Sequence, residues 1–511
     1  MKEAITLITI LLNFGYTQAQ APAIQWQKSF GGTADETAYA IQTTTDGGYV
    51  VAGRSNSINW DVTGNHGGND YWVAKLDATG IIQWQKSLGG SSNDVSRSIQ
   101  TTSDGGYILA GYSNSTDGDV TGNHGNDDCW VVKLDATGNI QWQKSLGGSQ
   151  GDAAYSIQTT SDGGYVVAGY TNSINGDITV NYGVGDYWVV KLDANGAIQW
   201  QKSLGGSSIE GASSIHTTSD GGYILAGFSL SNNGNVSGEF PSSDYWVLKL
   251  DAIGNIQWQK SMGGTRSETQ ATIQTTSDGG YVVAGISDSI DGDVTGNHGG
   301  WEYWVVKLDV NGIIQWQKCL GGTADDFANS IQTTLDGGFI VAGITNSTNG
   351  DVTGNNGAYD YWIVKLDVSG SILWQKSIGG LLNDFARDIQ TTSDGGYIIV
   401  GDSNSLDGNV AGNHGGTDFW IVKLAPDVLA TTVFKNDVIV IYPNPVCDIL
   451  QIQTPANTTI TSAKIITING QVVLEHTQNS NTINVENLAQ GVYILEAYSG
   501  EEKYTSKFVK E

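Results

Sequence analysis

The sequence predicts an all-β protein: a seven-bladed β-propeller of seven four-stranded repeats, followed by a small β-sandwich. Three observations predict it. Tryptophan recurs at 26, 84, 142, 200, 258, 316 and 374, each 58 residues after the last, and a second series runs 72, 130, 188, 246, 304, 362 and 420. Only Trp60 and Trp301 lie outside these series, and no insertions separate the repeats. The array also begins with a lone outer strand around Trp26 and ends at Leu424 without one. Self-similarity at a fixed period is the signature of a repeat architecture.

One repeat, Asp94 to Gly151, shows the elements in order. Ser98-Ile99-Gln100-Thr101 is a short strand preceded by small residues. Asp104-Gly105-Gly106 supplies the positive-φ residues of a tight hairpin. Tyr107 to Gly111 is apolar throughout, as a strand covered on both faces should be. A polar loop, Ser113 to Asp128, leads to Trp130-Val131-Val132-Lys133-Leu134. Asp135-Ala136-Thr137-Gly138 then turns the chain into Ile140-Gln141-Trp142-Gln143-Lys144, whose alternation suits a half-exposed outer strand. Such a sheet cannot bury both faces alone, but stacking in a ring buries them.

The ends predict closure. Ile24 to Lys28 is an outer strand with no blade before it, and Trp420 to Leu424 ends a blade that lacks one. The N-terminal strand therefore completes the last blade. An open solenoid would need polar capping repeats instead. Fourteen symmetric tryptophans read as packing between blades rather than ligand sites. Lys75, Lys133 and their equivalents read as partly solvated stems, or as partners of the repeated Asp residues across blades. Cys129, Cys319 and Cys447 fall at unrelated positions, with no zinc-type spacing, and read as isolated packing residues.

The long loop between second and third strands carries runs such as Thr116 to His124, Asp291 to His298 and Asp407 to His414, and all seven copies should share one acidic rim. Oxygen ligands there make Asp117, Asp119, Asp291 and Asp293 the calcium candidates. The loop lacks the alternating acids and terminal Glu of an EF-hand, so turn chemistry is the favoured reading. His66, His124, His298 and His414 share one loop position, too far apart for a common zinc. No other cofactor is indicated. No Gly-x-Ser-x-Gly, HExxH or phosphate-binding loop stands out, and the carboxylates recur with the repeat, whereas a catalytic centre normally breaks symmetry.

Residues 1–19 read as a signal peptide, with Lys2, an apolar run from Ala4 to Phe14, and small residues Thr17 and Ala19 before the cut. That run is too short to span a bilayer comfortably, and no transmembrane segment is expected in the mature chain. A net charge of −28 repels phosphate backbones, so nucleic acid is not an expected partner. The propeller is placed at 20–424, a linker at 425–440 and a second domain at 441–511.

In that second domain, strands are expected at Ile449–Gln453, Ala463–Ile468, Gln471–Glu475, Ile483–Val485, Val492–Ala497 and Tyr504–Val509, with Asn469-Gly470 as a hairpin turn. Tyr442-Pro443-Asn444-Pro445, the segment around Asn469-Gly470, Gly491-Val492-Tyr493 and the closing Lys507 to Lys510 closely resemble the C-terminal sorting domain of the type IX secretion system of Bacteroidota. The resemblance implies partnership with that machinery, export across the outer membrane, then release or cell-surface attachment. The propeller repeats are similar to those of secreted proteins from the same bacteria. The run Leu134 to Trp142 also resembles the docking motif of quinoprotein propellers, which implies tryptophan-mediated blade docking and says little for a quinone.

The expected function is therefore a secreted or surface-attached, non-enzymatic propeller that binds glycan or protein through a loop face. The alternative is a propeller enzyme acting on extracellular polysaccharide or using a quinone. An enzyme should show a pocket near the axis lined by non-equivalent residues of several blades. A binder is compatible with a quasi-symmetric rim.

Overall fold

A computed structural model describes residues 20–238, 242–427, 440–453, 459–467, 471–477, 479–499 and 502–511. The expected signal peptide, the fourth blade's loop segment 239–241 and the turn residues Asn469 and Gly470 lie outside the described residues. The chain divides into two compact units, 1–428 and 429–511.

The first unit is seven four-stranded antiparallel sheets. The first blade runs Glu36–Thr43, Tyr49–Ser55, Asp70–Leu76 and Ile82–Leu88, from innermost to outermost strand. The next five repeat this order from Asp94, Asp152, Glu210, Glu268 and Asp326. The seventh takes Asp384–Thr391, Tyr397–Ser403 and Asp418–Leu424, and its outer strand is Ile24–Phe30. There Ile24 pairs with Leu424, Gln27 with Val422 and Phe30 with Phe419, and Ala425 N donates to Ala23 O at 2.9 Å. Each innermost strand contacts the next, the seventh touching the first, so the ring is closed.

Two tryptophan layers dock the blades. The third-strand series is at most 2% exposed. Trp130 packs at 4.6 Å on Tyr71 of the preceding blade, whose hydroxyl donates to Trp130 O at 2.9 Å. Tyr187, Tyr303 and Tyr361 repeat the arrangement. At the closing seam Phe419 stacks on Trp72 at 4.5 Å, and Cys129 takes the tyrosine's place in the second blade's sheet, packed with Trp188. In the outer series Trp26, Trp84 and most equivalents are half-buried, because their outer strands face solvent. Trp84 lies edge-on to Tyr107 of the next blade and under Gly138, where φ is +80° and a Cβ would sit 2.8 Å from the indole. That glycine is needed for both the turn and the docking.

Lys75 and its six equivalents are a correction. They are buried and pair within their own blade, Lys75 Nζ meeting Asp46 of the first hairpin turn at 2.8 Å, because antiparallel pairing brings that turn beside the end of the third strand. Within the segment expected as a linker, 425–440, Asp427 accepts from Trp374 Nε1 at 2.8 Å and from the Tyr397 hydroxyl at 2.5 Å, and Val440 begins a strand.

The second unit is two sheets. One holds Val440–Tyr442, Ile449–Gln453 and Thr482–Asn484. The other orders Val472–His476, Ser462–Thr467, Gly491–Ser499 and Glu502–Lys510. Leu450, Ile465, Leu495 and Phe508 lie in its buried core.

Trp130→Ala should lower stability by about 3–5 kcal/mol, the range for truncating a buried aromatic, while Trp84→Ala should cost clearly less. Denaturant unfolding of both variants checks the order.

Candidate functional site

The four calcium candidates of the long loops bond backbone N–H groups. Asp117 Oδ1 accepts from Ser91 N at 2.7 Å and Asp119 Oδ2 from Gly89 N at 3.3 Å. Asp291 and Asp293 do the same to Thr265 N and Gly263 N. These four carboxylates clamp their loop to the crossover between blades, and the backbone donors hold the exposed Asp117 and Asp291 below the usual carboxylate range. Among the described residues no group of three or more His, Cys, Asp or Glu is arranged to hold a metal. The four equivalent histidines each bond the buried acid four residues on, as His66 Nδ1 with Asp70 Oδ2 at 2.8 Å.

Beneath the loops, each seam between blades buries two carboxylates. At Gly205 an added Cβ would lie 2.5 Å from both Asp186 Oδ1 and Glu210 Oε2, so only glycine fits between them. Asp70, Asp128, Asp186, Asp244, Asp360 and Asp418 each keep one buried oxygen without a hydrogen-bond partner. Burial pushes Asp186, Asp360 and Asp418 up to about 6, and Asp244 and Glu302 up to about 7. At the opposite end of the blades Lys75 and Lys191 hold Asp46 and Asp162 down at about 2.

The axis carries the remaining feature, a cavity of about 840 Å³ lined from all seven innermost strands. Six of these strands bulge at their fourth residue. A bulge leaves one residue unpaired and re-aims its side chain, and here it places Tyr39, Arg97, Tyr155, Ser213, Asn329 and Arg387 on the cavity wall. In the fifth blade the irregularity spans two residues, and Gln270, at φ +59°, takes the place. Six of these positions are equivalent in the repeat, Gln270 stands one residue before the seventh (Ala271), and their chemistry varies from blade to blade.

One residue further on, small hydroxyls lace the ring together. Ser98, Ser156, Ser214 and Ser330 each accept from the isoleucine N–H of the next blade at 3.2–3.4 Å. At the closing seam Asp388 does this, accepting from Ile41 N at 3.0 Å and from the Ser330 hydroxyl at 2.8 Å. Burial pushes it up to about 6. Two residues beyond lies a ring of glutamines in which His216 replaces one, and burial draws His216 down to about 4, so it is neutral at pH 7.

Aromatic rings and guanidinium groups form a continuous arc over five blades and the start of a sixth. Trp301, Phe327, Tyr359 and Phe385 follow one another at 6.4, 6.1 and 5.8 Å between centroids. Arg387 lies 5.2 Å from Phe385 and 5.9 Å from Tyr39. Arg97 sits 4.1 Å over Tyr39 and 5.6 Å from Tyr155, which stacks on Tyr170 at 5.9 Å. Reading the repeat as a pattern missed these residues, because they are the positions where copies disagree. Superposing the seven copies and asking where they differ would have found them.

The sorting motif has a structural role as well. Asn444 Oδ1 accepts from Val509 N at 2.8 Å, which pins Tyr442-Pro443-Asn444-Pro445 to the last strand. Gly491 opens the adjoining strand, and Tyr493, stacked on Phe508, donates to Ala489 O at 2.8 Å.

Residues 440–511 match the family described as secretion system C-terminal sorting domain. Over 193 residues the chain is 28% identical to the regulatory protein FlaEY of Caulobacter vibrioides, covering 34% of this chain and 20% of that protein. The chain thus spans about a fifth of that relative's length. Among solved structures it is similar to the Pan2 WD40 domain of Neurospora crassa (TM-score 0.42, 12% identity, 75% of this chain and 88% of that one). It is also similar to a puromycin hydrolase (TM-score 0.44, 13% identity, 91% and 59%). The fold assignment rests on this chain's own sheet order and closure. The protein is a β-propeller carrying a type IX secretion sorting tail. It is exported by that route to the cell surface or the extracellular space. Among the described residues no helix is long and apolar enough to cross a membrane.

The seam acids set a pH dependence. A carboxyl whose folded pKa is raised contributes stability that is complete below its unfolded value near 4 and is lost as pH climbs through 6 to 7. The turn acids held at about 2 act oppositely, their contribution vanishing only as pH falls below 4. The melting temperature should therefore be higher at pH 5 than at pH 8. Asp244→Asn should raise it at pH 8 and change it little at pH 5, as differential scanning calorimetry will show.

Proposed function

We propose that the exported propeller is a binding protein that takes a glycan into the axial cavity. The observation that carries this reading is the aromatic and guanidinium arc that runs from Trp301 to Tyr170 past the cavity wall. Sugar rings present C–H faces that stack on aromatic rings, and hydroxyls that need amide and hydroxyl partners. The glutamine ring and Asn329 offer the latter. A concave site with a few convergent polar groups is the usual form of a ligand pocket. The site reached from the sequence, a symmetric loop rim, gives way here to the asymmetric axis.

Non-equivalent residues around an axial cavity also favour a second reading, an enzyme acting on extracellular polysaccharide. The acidic groups of the cavity wall point the other way. Asp388 and Glu210 are engaged with backbone and hydroxyl donors of the seams. The non-enzymatic reading is therefore preferred.

The full chain should bind oligosaccharides on a glycan array, and Tyr39→Ala should weaken the best ligand at least about tenfold in calorimetry, or 1.4 kcal/mol. Chromatography of ligand incubated with the protein should return it unchanged. Cleaved product would establish the enzyme instead.

A further inference from the structure

We propose that Arg97 anchors an anion subsite in the axial cavity, which takes the carboxylate or sulfate group of a charged sugar. This rests on the glycan reading above and narrows it to anionic glycans.

The chain has four arginines, at 54, 97, 266 and 387. Three of them lie in the first, second and seventh blades, which are neighbours across the closing seam. Of these only Arg387 has an ion pair among the described residues. Arg387 Nε donates to Asp402 at 3.0 Å, and the charge of Arg54 also acts on Asp402, though burial leaves that acid above the usual range. Arg97 has no ion pair among the described residues, and its Nε, like that of Arg54, is buried without an acceptor, but Arg97 lines the axial cavity and Arg54 does not. Its neighbours are instead three aromatic rings, those of Tyr39, Tyr155 and Tyr112.

The contrast is with the lysines: in a chain of net charge −28 all seven third-strand lysines have an aspartate. A desolvated guanidinium donor normally has a partner, and a missing one asks for an anion from outside. Arg97 Cζ lies 4.1 Å over the Tyr39 ring, and a guanidinium fork suits two-point recognition of a carboxylate or sulfate. The acids of the same wall do not neutralise it. Asp388 faces Ile41 N and Ser330, Glu210 faces Gly206 N and Ser229, and His216 is uncharged at neutral pH. The repeat has no use for Arg97 in closing the ring, since Tyr, Ser, Ala and Asn fill the equivalent position in five other blades.

Isothermal titration of the full chain with three matched probes tests this: a galactose tetramer, the galacturonate tetramer and a sulfated galactose tetramer. The wild type should bind at least one charged tetramer about tenfold more tightly than the neutral one, as charge-assisted hydrogen bonds require. The two charged arms show which anion is preferred. Arg97→Gln should remove that preference, charged and neutral tetramers then binding within about twofold of each other, while Arg97→Lys should retain part of it. Thermal unfolding verifies that the variants are folded, and if Arg97→Gln is not, Arg97→Lys carries the comparison. Equal binding of neutral and charged tetramers by the wild type, or equal weakening of both by the variants, overturns the anion subsite and leaves the glycan reading standing. No binding of any tetramer overturns both.

Discussion

Pairing of Ile24–Phe30 with Asp418–Leu424 is the interaction on which the propeller depends. It joins chain segments almost four hundred residues apart and turns six complete blades and a partial one into a ring. Without it the seventh sheet has an open edge, and the first and last blades lose the partner that covers their faces. The cost of closing so long a loop grows only slowly with its length. Packing at the seam offsets it, with Phe419 against Trp72 and Trp26 against Tyr49 repeating what other seams do. The acid pair Glu36 and Asp418 and the bond from Ile41 N to Asp388 also sit at this seam.

Closure also explains where function can arise. Seven equivalent blades make seven equivalent seams, and those seams use most of the conspicuous residues: both tryptophan series, the crossover glycines and the buried acids. The loop acids clamp crossovers, and the repeated lysines clamp turns. At the axis each innermost strand has an unpaired residue whose chemistry differs between blades. The bulges put Tyr39, Arg97 and Arg387 together without disturbing the scaffold that carries them.

Much of this was legible in the sequence. The 58-residue period, the hairpin glycines and the missing outer strand led directly to the blade order and to closure. The Tyr442 to Pro445 segment and its companions led to the sorting domain. What escaped the reading was local geometry. Nothing in the Asp117-Gly118-Asp119 run says that its side chains reach back to Gly89 and Ser91. Lys75 and Asp46 are 29 residues apart, and only the register of the hairpin makes them neighbours within one blade. The axial site escaped for a different reason. Averaging over repeats emphasises what is shared, whereas Tyr39, Arg97 and Asn329 matter because they are not.

Closure is tested most directly by a chain lacking residues 20–30. The account predicts that it loses the wild type's cooperative thermal transition, and that adding a peptide of residues 20–30 in excess restores it by supplying the missing outer strand. A shortened chain that melts like the wild type, or one that the peptide leaves unchanged, would contradict the closed ring.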